Sequence, residues 1–253
     1  MWYVVSVVFG AIVGSFLNVC IVRLPKEESI VWPGSHCPRC RKPISYYDNV
    51  PLISYLGLRG RCRHCRESIS LQYPLVEGVT AISSFLLFLR YGASPSYLFY
   101  FAFVAALIVI TVIDLYHQII PDVISLPGIG VGLIGALFIP QITFFKSLMG
   151  VILGGGSLFL VAMLYQWLCK REGMGGGDVK LLAMIGAFLG WDAVILTILL
   201  GSLIGSVSGI TIMLIKGKGF KYAIPFGPFL SIGAVIALFY KNEIIFWYLH
   251  LGV

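Results

Sequence analysis

Eight long apolar runs constrain this chain more than any other feature of its sequence. A helix of about 20 apolar residues spans the hydrocarbon layer of a bilayer, and most of these runs approach that length. Lipid cannot hydrogen-bond to the backbone, so a spanning segment must satisfy its own polar groups. The sequence therefore predicts an all-α polytopic membrane protein with about eight transmembrane helices, over residues 3–22, 75–91, 96–113, 123–139, 145–168, 179–190, 193–215 and 226–240.

The composition excludes an ordinary soluble domain. Hydrophobic residues make up 58% of the 253 residues and charged residues only 11%, whereas soluble domains carry about 25% charged residues. The run over residues 179–190 is short, since a helix of that length reaches only about 18 Å. We therefore expect that helix to begin inside the membrane plane, or the bilayer to be thinner beside it.

Lysine and arginine residues predict the orientation, because they favour the cytoplasmic side of a membrane. With residues 23–73 in the cytoplasm and eight spans, 15 of the 18 basic residues face inward and both termini lie outside. The first run has no basic residue before it, so we expect it to be retained rather than cleaved as a signal peptide. The net charge of +7 then reflects topology and contact with membrane lipid, and we expect no nucleic-acid partner.

Two Cys-x-x-Cys pairs stand in the one sizeable polar segment. A spacer of 21 residues separates the pairs, which suits a tetrahedral site for structural Zn²⁺ with four thiolate ligands. Two disulfides or a redox pair are the alternative, which the predicted cytoplasmic location disfavours because thiols stay reduced there. The predicted ligands are Cys37, Cys40, Cys62 and Cys65, with His36 and His64 as adjacent alternatives.

These observations predict three parts of the chain. Residues 1–22 form the first transmembrane helix, residues 23–74 form a small cytoplasmic zinc-binding segment between helices 1 and 2, and residues 75–253 form a seven-helix membrane domain.

A glycine-rich turn at residues 173–177 delivers Asp178 to the edge of the short apolar run. Glycine costs a helix about 1 kcal/mol relative to alanine, so four glycines in this turn predict a loop. Asp178 then either caps the next helix or has a function, as polar residues near the apolar core of a membrane usually do.

A second acid, Asp114, follows the third apolar run directly. It stands at the C-terminal end of a predicted helix, where the dipole disfavours negative charge. Asp122 needs no such explanation, since it follows Pro121 and is predicted as an N-cap. The predicted topology puts Asp114 and Asp178 at the same cytoplasmic edge, with the proline-broken segment 223–229 as a wall of the site.

Two neighbouring carboxylates favour peptide hydrolysis. They cannot both ionise easily, so they share a proton, and one can deprotonate water while the other protonates a carbonyl oxygen. No serine of the membrane segments has an accompanying histidine, and a closed Cys₄ zinc site has no open position for catalysis. Glu77, just inside the second run, is interpreted equally well as a helix N-terminal charge or as a residue that faces a cavity.

Several motifs together resemble those of the bacterial type IV prepilin peptidases, which are Gly-x-Gly-Asp intramembrane aspartic proteases. The resemblance covers nearly the whole chain and rests on residues 14–19, 23–25, the double Cys-x-x-Cys segment, residues 114–122, 172–180 and 225–228.

The resemblance implies a site, two activities and a location. It implies that Asp114 and Asp178 are catalytic and that Gly175, Gly176 and Gly177 support the catalytic loop. It further implies that a multi-pass enzyme of the bacterial inner membrane removes the leader of prepilins or pseudopilins and N-methylates the new terminus. The methyl donor is S-adenosylmethionine, and the resemblance makes the polar segment and Glu77 the candidates for binding it. The sequence has no Rossmann fingerprint after a strand, so the donor must be bound by other means.

Two alternatives differ from this interpretation. One is a protease that cleaves without methylating, although relatives of that kind generally lack the cysteine segment. The other is a membrane scaffold without enzymatic activity whose zinc segment docks a cytoplasmic partner, but it would leave the two aspartates without a shared purpose.

Overall fold

The computed structural model describes residues 1–170, 175–216 and 225–250. Apart from two isolated β-bridges, the regular secondary structure in these ranges is helical, which confirms the predicted all-α fold. Two short 3₁₀ helices, Leu24–Lys26 and Tyr46–Asn49, lie in the polar segment. The α-helices are α1 (Trp2–Arg23), α2 (Ile53–Gly57), α3 (Gln72–Tyr91), α4 (Pro95–His117), α5 (Asp122–Gly135), α6 (Phe144–Cys169), α7 (Gly176–Leu189), α8 (Trp191–Lys216) and α9 (Gly227–Leu249).

Each of the eight apolar runs contains one helix of this set. Six helices of the described ranges, α1, α3, α4, α6, α8 and α9, are long and apolar enough to cross a membrane. The other two, α5 and α7, have 14 residues each and so reach about 21 Å. The prediction of a multi-pass membrane protein is confirmed, as is the short helix that follows the glycine-rich turn.

Helix α5 is shorter than its apolar run. The run extends to residue 139, but the helix ends at Gly135 and residues 136–138 form a turn. Glycine is a poor helix former, and a residue that precedes proline, here Pro140, avoids the helical region of backbone space. A hydropathy pattern reports neither effect, so the apolar run is longer than the helix that forms.

The chain forms two compact units, Met1–Val109 and Ile110–Val253. In the first unit, α1 and α3 pack closely through small residues: a Cβ atom at Gly14 would lie 2.7 Å from the Cα atom of Glu77. The buried side chain of Asn18 on α1 donates a hydrogen bond of 3.1 Å to the carbonyl oxygen of Tyr73 on α3. These two helices flank the polar segment and anchor it at both ends.

In the second unit, the short helix α7 is central. It packs against α5, α6, α8 and α9, and each residue from Leu181 to Leu189 is buried. Against α6 the backbones are in direct contact, since a Cβ atom at Gly186 would lie 2.1 Å from the carbonyl oxygen of Gly150. Protein therefore surrounds α7, and a helix of this length needs no lipid-facing surface of its own.

Candidate active site and metal centre

Asp114 is a buried carboxylate held by the N-terminus of another helix. It lies in the last turn of α4 with only 5% of its surface exposed. Its Oδ2 atom accepts a hydrogen bond of 3.0 Å from the backbone amide of Gly227, the first residue of α9. The amide groups at a helix N-terminus have no partner within their own helix and carry partial positive charge. Helix α9 thus stabilises the negative charge of Asp114, which the C-terminal end of α4 disfavours.

Asp178 lies in the first turn of α7, as the third helical residue, and is half-buried. The N-cap of the helix is Gly175, so the alternative of Asp178 as the cap residue is wrong. Within the described ranges, its carboxylate accepts no hydrogen bond from another side chain or amide. The carboxylate therefore stands at the positive end of a helix with its lone pairs available.

The side chain of Ile120 lies close to a backbone neighbour of each acid. A Cβ atom at Gly177, next to Asp178, would lie 2.9 Å from the Cβ atom of Ile120. A Cβ atom at Gly227 would lie 3.4 Å from the Cδ1 atom of the same isoleucine and 2.6 Å from Oδ2 of Asp114. The Asp114 carboxylate is close enough that its charge acts on Asp178. Two acids 64 positions apart in the sequence thus meet in one region of the second unit.

Part of the glycine-rich turn lies outside the described residues, namely Glu172, Gly173 and Met174 of the predicted motif. Of the three predicted loop-support residues, Gly175 precedes the helix and Gly176 and Gly177 are its first two residues. Only Gly177 makes a contact that forbids a side chain, against Ile120. The loop prediction therefore holds for Gly175, while the helix begins two residues before Asp178.

Asp122 has a different role from the predicted one. Pro121 is the N-cap of α5 and Asp122 is the first helical residue, so the N-cap prediction is wrong by one position. The Asp122 carboxylate accepts hydrogen bonds of 2.7 Å to both oxygens from the Lys180 ammonium group. This ion pair ties the start of α5 to the first turn of α7, two residues beyond Asp178.

The four cysteines of the polar segment form one cluster. Their Sγ atoms all lie within 4.8 Å of one another, and those of Cys37 and Cys65 are 3.7 Å apart. Four sulfur atoms arranged tetrahedrally at about 2.3 Å from Zn²⁺ would be separated by about 3.8 Å. The donor set and its spacing fit a zinc ion without contribution from a histidine.

Each Cys-x-x-Cys pair sits in a knuckle of the same design, repeated 25 positions later. The amide of Cys37 donates to the carbonyl oxygen of Lys42, and the amide of Cys62 donates to that of Glu67. Amide groups of Cys65 and His64 also lower the pKa of the Cys62 thiol to about 6. Partial desolvation and the neighbouring thiols raise the pKa of Cys65 to about 12, but a bound zinc ion deprotonates its thiol ligands outright.

Glu77 is buried, with 8% of its surface exposed. Its Oε2 atom accepts a hydrogen bond of 2.8 Å from the amide of Leu52, and its carboxylate also bonds to the Ser15 hydroxyl. Leu52 adopts a φ of 62°, in the left-handed region that a leucine rarely occupies. The carboxylate therefore holds a strained loop of the polar segment against α1 and α3.

Sequence reasoning missed two features of this site. One is the hydrogen bond from Gly227 to Asp114, although the signal was present: Pro225 and Pro228 flank that glycine, and proline favours the first positions of a helix. The other is the pair of Asp122 and Lys180, which joins distant helices and leaves no local signal.

The fold and site define a polytopic membrane protein with one buried and one half-buried aspartate in the same unit, and with a four-cysteine cluster that could hold a metal ion between its first two long helices. Residues 8–91 match the bacterial peptidase A24 N-terminal domain, and residues 101–210 match the type IV leader peptidase family. The chain belongs to the type IV leader peptidase family.

Curated relatives match the chain nearly end to end. A prepilin leader peptidase/N-methyltransferase of Pseudomonas putida is 37% identical over 94% of this chain and 91% of its own length. The Pseudomonas aeruginosa protein of that name is also 37% identical, over 96% and 92%. The Aeromonas salmonicida protein is 36% identical, over 98% and 94%. The search of solved structures found no match.

Proposed function

We propose that this protein is an intramembrane aspartic endopeptidase that removes the leader peptide of type IV prepilins or pseudopilins and then N-methylates the new terminus. The observation that carries the proposal is that Asp114, held by the first amide of α9, and Asp178, in the first turn of α7, both adjoin residues that pack against Ile120. Family membership and the names of the relatives support both activities.

The two carboxylates have different roles in peptide hydrolysis. One takes a proton from water, which attacks the scissile carbonyl carbon, and the other gives a proton to the carbonyl oxygen. The aspartate that took the proton from water then gives it to the amine nitrogen, and the peptide C–N bond breaks. A hydroxyl proton of the tetrahedral intermediate returns to the other aspartate, which restores the pair. Since the Gly227 amide binds one oxygen of Asp114, we assign the proton transfers of that residue to its other oxygen.

Methylation requires S-adenosylmethionine, which supplies a methyl group when bound. The bound donor would supply an electrophilic methyl group to the new amine nitrogen, which would release its proton to water. The polar segment and Glu77 are the region proposed to hold the donor, and the zinc ion is proposed as structural because four thiolates leave it no open position.

We place the protein in the bacterial inner membrane, with the zinc segment and both aspartates on the cytoplasmic side and both termini outside. The distribution of basic residues supports this orientation. It suits a substrate whose charged leader stays in water while its apolar segment enters between the membrane helices.

The proposal is tested by incubation of the detergent-purified protein with a prepilin from the same genome and S-adenosylmethionine, followed by intact-mass measurement. We expect loss of the leader and a gain of one methyl group. Leader loss without the methyl group would limit the protein to cleavage, and no reaction would favour a scaffold.

The roles of the acids are tested by Asp114→Asn and Asp178→Asn. Each change removes a proton carrier but keeps the shape of the side chain, so we expect cleavage to fall at least about 10³-fold while expression persists. Asp192→Asn is the matched control, since its carboxylate lies in the first turn of α8 and pairs with Lys241, and it should retain activity. Substantial cleavage by either of the first two variants would contradict the assignment.

A further inference from the structure

A cavity of about 330 Å³ opens within the first unit, against one face of α1. Residues of segments 30–35 and 49–51 of the polar region line one side of it, and the wall on α1 consists of Ile12, Ser15, Phe16, Val19 and Arg23. Small-molecule sites in proteins typically measure about 300–1,000 Å³. The cavity therefore has room for one small ligand, and the pair of aspartates does not line it.

Arg23 places a buried positive charge in the lining of this cavity. It is the last residue of α1, and only 8% of its surface is exposed. It donates hydrogen bonds to the carbonyl oxygens of Ser29 at 2.8 Å, Pro33 at 2.6 Å and Gly34 at 3.4 Å, which leaves the Nε–H group and one Nη1–H group for another acceptor. Within the described ranges no acidic side chain pairs with it. A buried charge without a counterion is costly, and a guanidinium group with N–H groups to spare is well suited to a carboxylate.

The remaining walls define the rest of the ligand. Phe16 and Pro33 offer apolar surface, and Ser35 and Asn49 offer hydrogen-bonding groups. The hydroxyl of Ser15 lines the cavity and also bonds to the buried carboxylate of Glu77, which is not itself a lining residue. A ligand with a carboxylate at one end, a flat body with hydroxyl groups and a positive charge near Ser15 would match these groups.

We propose that this cavity binds S-adenosylmethionine, that Arg23 recognises the carboxylate of the ligand, and that Glu77 is a positioning residue behind Ser15. The inference rests on the proposed methyltransferase function, and the ligand combines the features that the walls select: a carboxylate, a cationic sulfonium, a ribose and a planar base. It refines the expectation drawn from the resemblance, in which the polar segment and Glu77 hold the donor, because Glu77 does not line the cavity.

The test is equilibrium binding to the zinc-loaded, detergent-purified full chain, measured by calorimetry. The two probes are S-adenosylmethionine and its decarboxylated analogue, which keeps the sulfonium but lacks the carboxylate. The unchanged protein should bind S-adenosylmethionine about 10-fold or more tightly than the analogue, as expected for a charge-assisted hydrogen bond. In Arg23→Met the affinity for S-adenosylmethionine should fall and the ratio of the two affinities should approach one.

A merely structural role of Arg23 would weaken both probes equally and leave the ratio unchanged, which would overturn the proposal. The matched control is Arg61→Met, an exposed arginine of the polar segment, which should leave both affinities and their ratio intact. If Arg23→Met does not fold, as judged by zinc content, Val19→Trp serves instead, because it fills the cavity and keeps Arg23. It should bind both probes at least 10-fold more weakly, and unchanged binding would overturn the proposal.

Two further outcomes separate this inference from the proposed function. If the unchanged protein neither binds S-adenosylmethionine nor methylates its product, the methyltransferase function fails and the inference fails with it. If methylation occurs but Arg23→Met and Val19→Trp both bind the donor normally, only the location is wrong. The anion that Arg23 binds could instead be the headgroup of a phospholipid, which native mass spectrometry of the purified protein would detect. If Arg23→Met loses a bound phospholipid but binds S-adenosylmethionine as before, the cavity is a lipid site and the proposal is wrong.

Discussion

At the scale of single residues, Gly227 determines where Asp114 can sit. Its amide donates to the carboxylate at 3.0 Å, and this approach is possible because glycine has no Cβ atom. A Cβ atom at this position would lie 2.6 Å from Oδ2 of Asp114, closer than real Cβ atoms come to their neighbours. Any side chain at residue 227 must therefore displace either the carboxylate or the start of α9.

We predict that Gly227→Ala lowers kcat for leader cleavage by about 100-fold, the effect of a displacement of about 1 Å at a reacting group. Cleavage of a prepilin followed over time by mass spectrometry measures it. Gly130→Ala in α5 is the control, because a Cβ atom there would meet nothing within 4 Å, and its activity should be unchanged. Equal activity of the two variants would contradict the positioning role of Gly227.

At the scale of elements, α7 is held by backbone contact with α6. A Cβ atom at Gly150 would lie 2.3 Å from the carbonyl oxygen of Gly186, and one at Gly154 would lie 2.5 Å from that of Leu182. Small residues let membrane helices approach in this way and gain van der Waals contact along their length. Because α7 carries Asp178 in its first turn, this packing also sets the depth of that acid.

Gly186→Ala should separate α6 from α7 and destabilise the second unit by about 1–3 kcal/mol, the usual cost of overpacking. We expect a Tm several degrees lower in detergent, measured by intrinsic fluorescence, and slower cleavage as Asp178 shifts. Gly156→Ala in α6 is the matched control, since a Cβ atom there meets nothing within 4 Å. An unchanged Tm for Gly186→Ala would refute the close contact.

At the scale of the whole molecule, one unit of the chain contains the four-cysteine cluster and the other contains the acid pair. The polar segment of the first unit has few buried apolar residues, Cys37 being one of them, so it lacks a core of its own. The proposed zinc ion would compensate for that, because the free energy of metal binding becomes free energy of folding.

Zinc removal should therefore unfold the polar segment. We expect about one zinc ion per chain in protein purified without chelator, and a large loss of metal in Cys62→Ser together with rapid proteolysis between residues 26 and 73. Elemental analysis and limited proteolysis measure these two effects. Cys169→Ser provides the comparison, because that exposed cysteine lies outside the cluster, and a Cys62→Ser variant with full metal content would count against the four-thiolate site.

The sequence by itself determined the features that depend on neighbours along the chain. Apolar runs predict membrane helices because the hydrophobic effect and backbone hydrogen bonding act within a segment of about 20 residues. The spacing of the cysteine pairs predicted the cluster for a similar reason, since each knuckle closes over a few residues. The length of the apolar run after the glycine-rich turn likewise predicted a short helix.

Only the tertiary structure decided the contacts between distant segments. Gly227 lies 113 positions from the acid that it binds, Lys180 lies 58 positions from Asp122, and Glu77 lies 25 positions from the Leu52 amide. A hydrophobic pattern states which face of a helix is buried but not which partner buries it. The position of Asp114 beside the start of α9 and the cavity beside Arg23 therefore follow from helix packing. Which backbone amide or carbonyl group a side chain contacts depends on how all the neighbouring helices pack together.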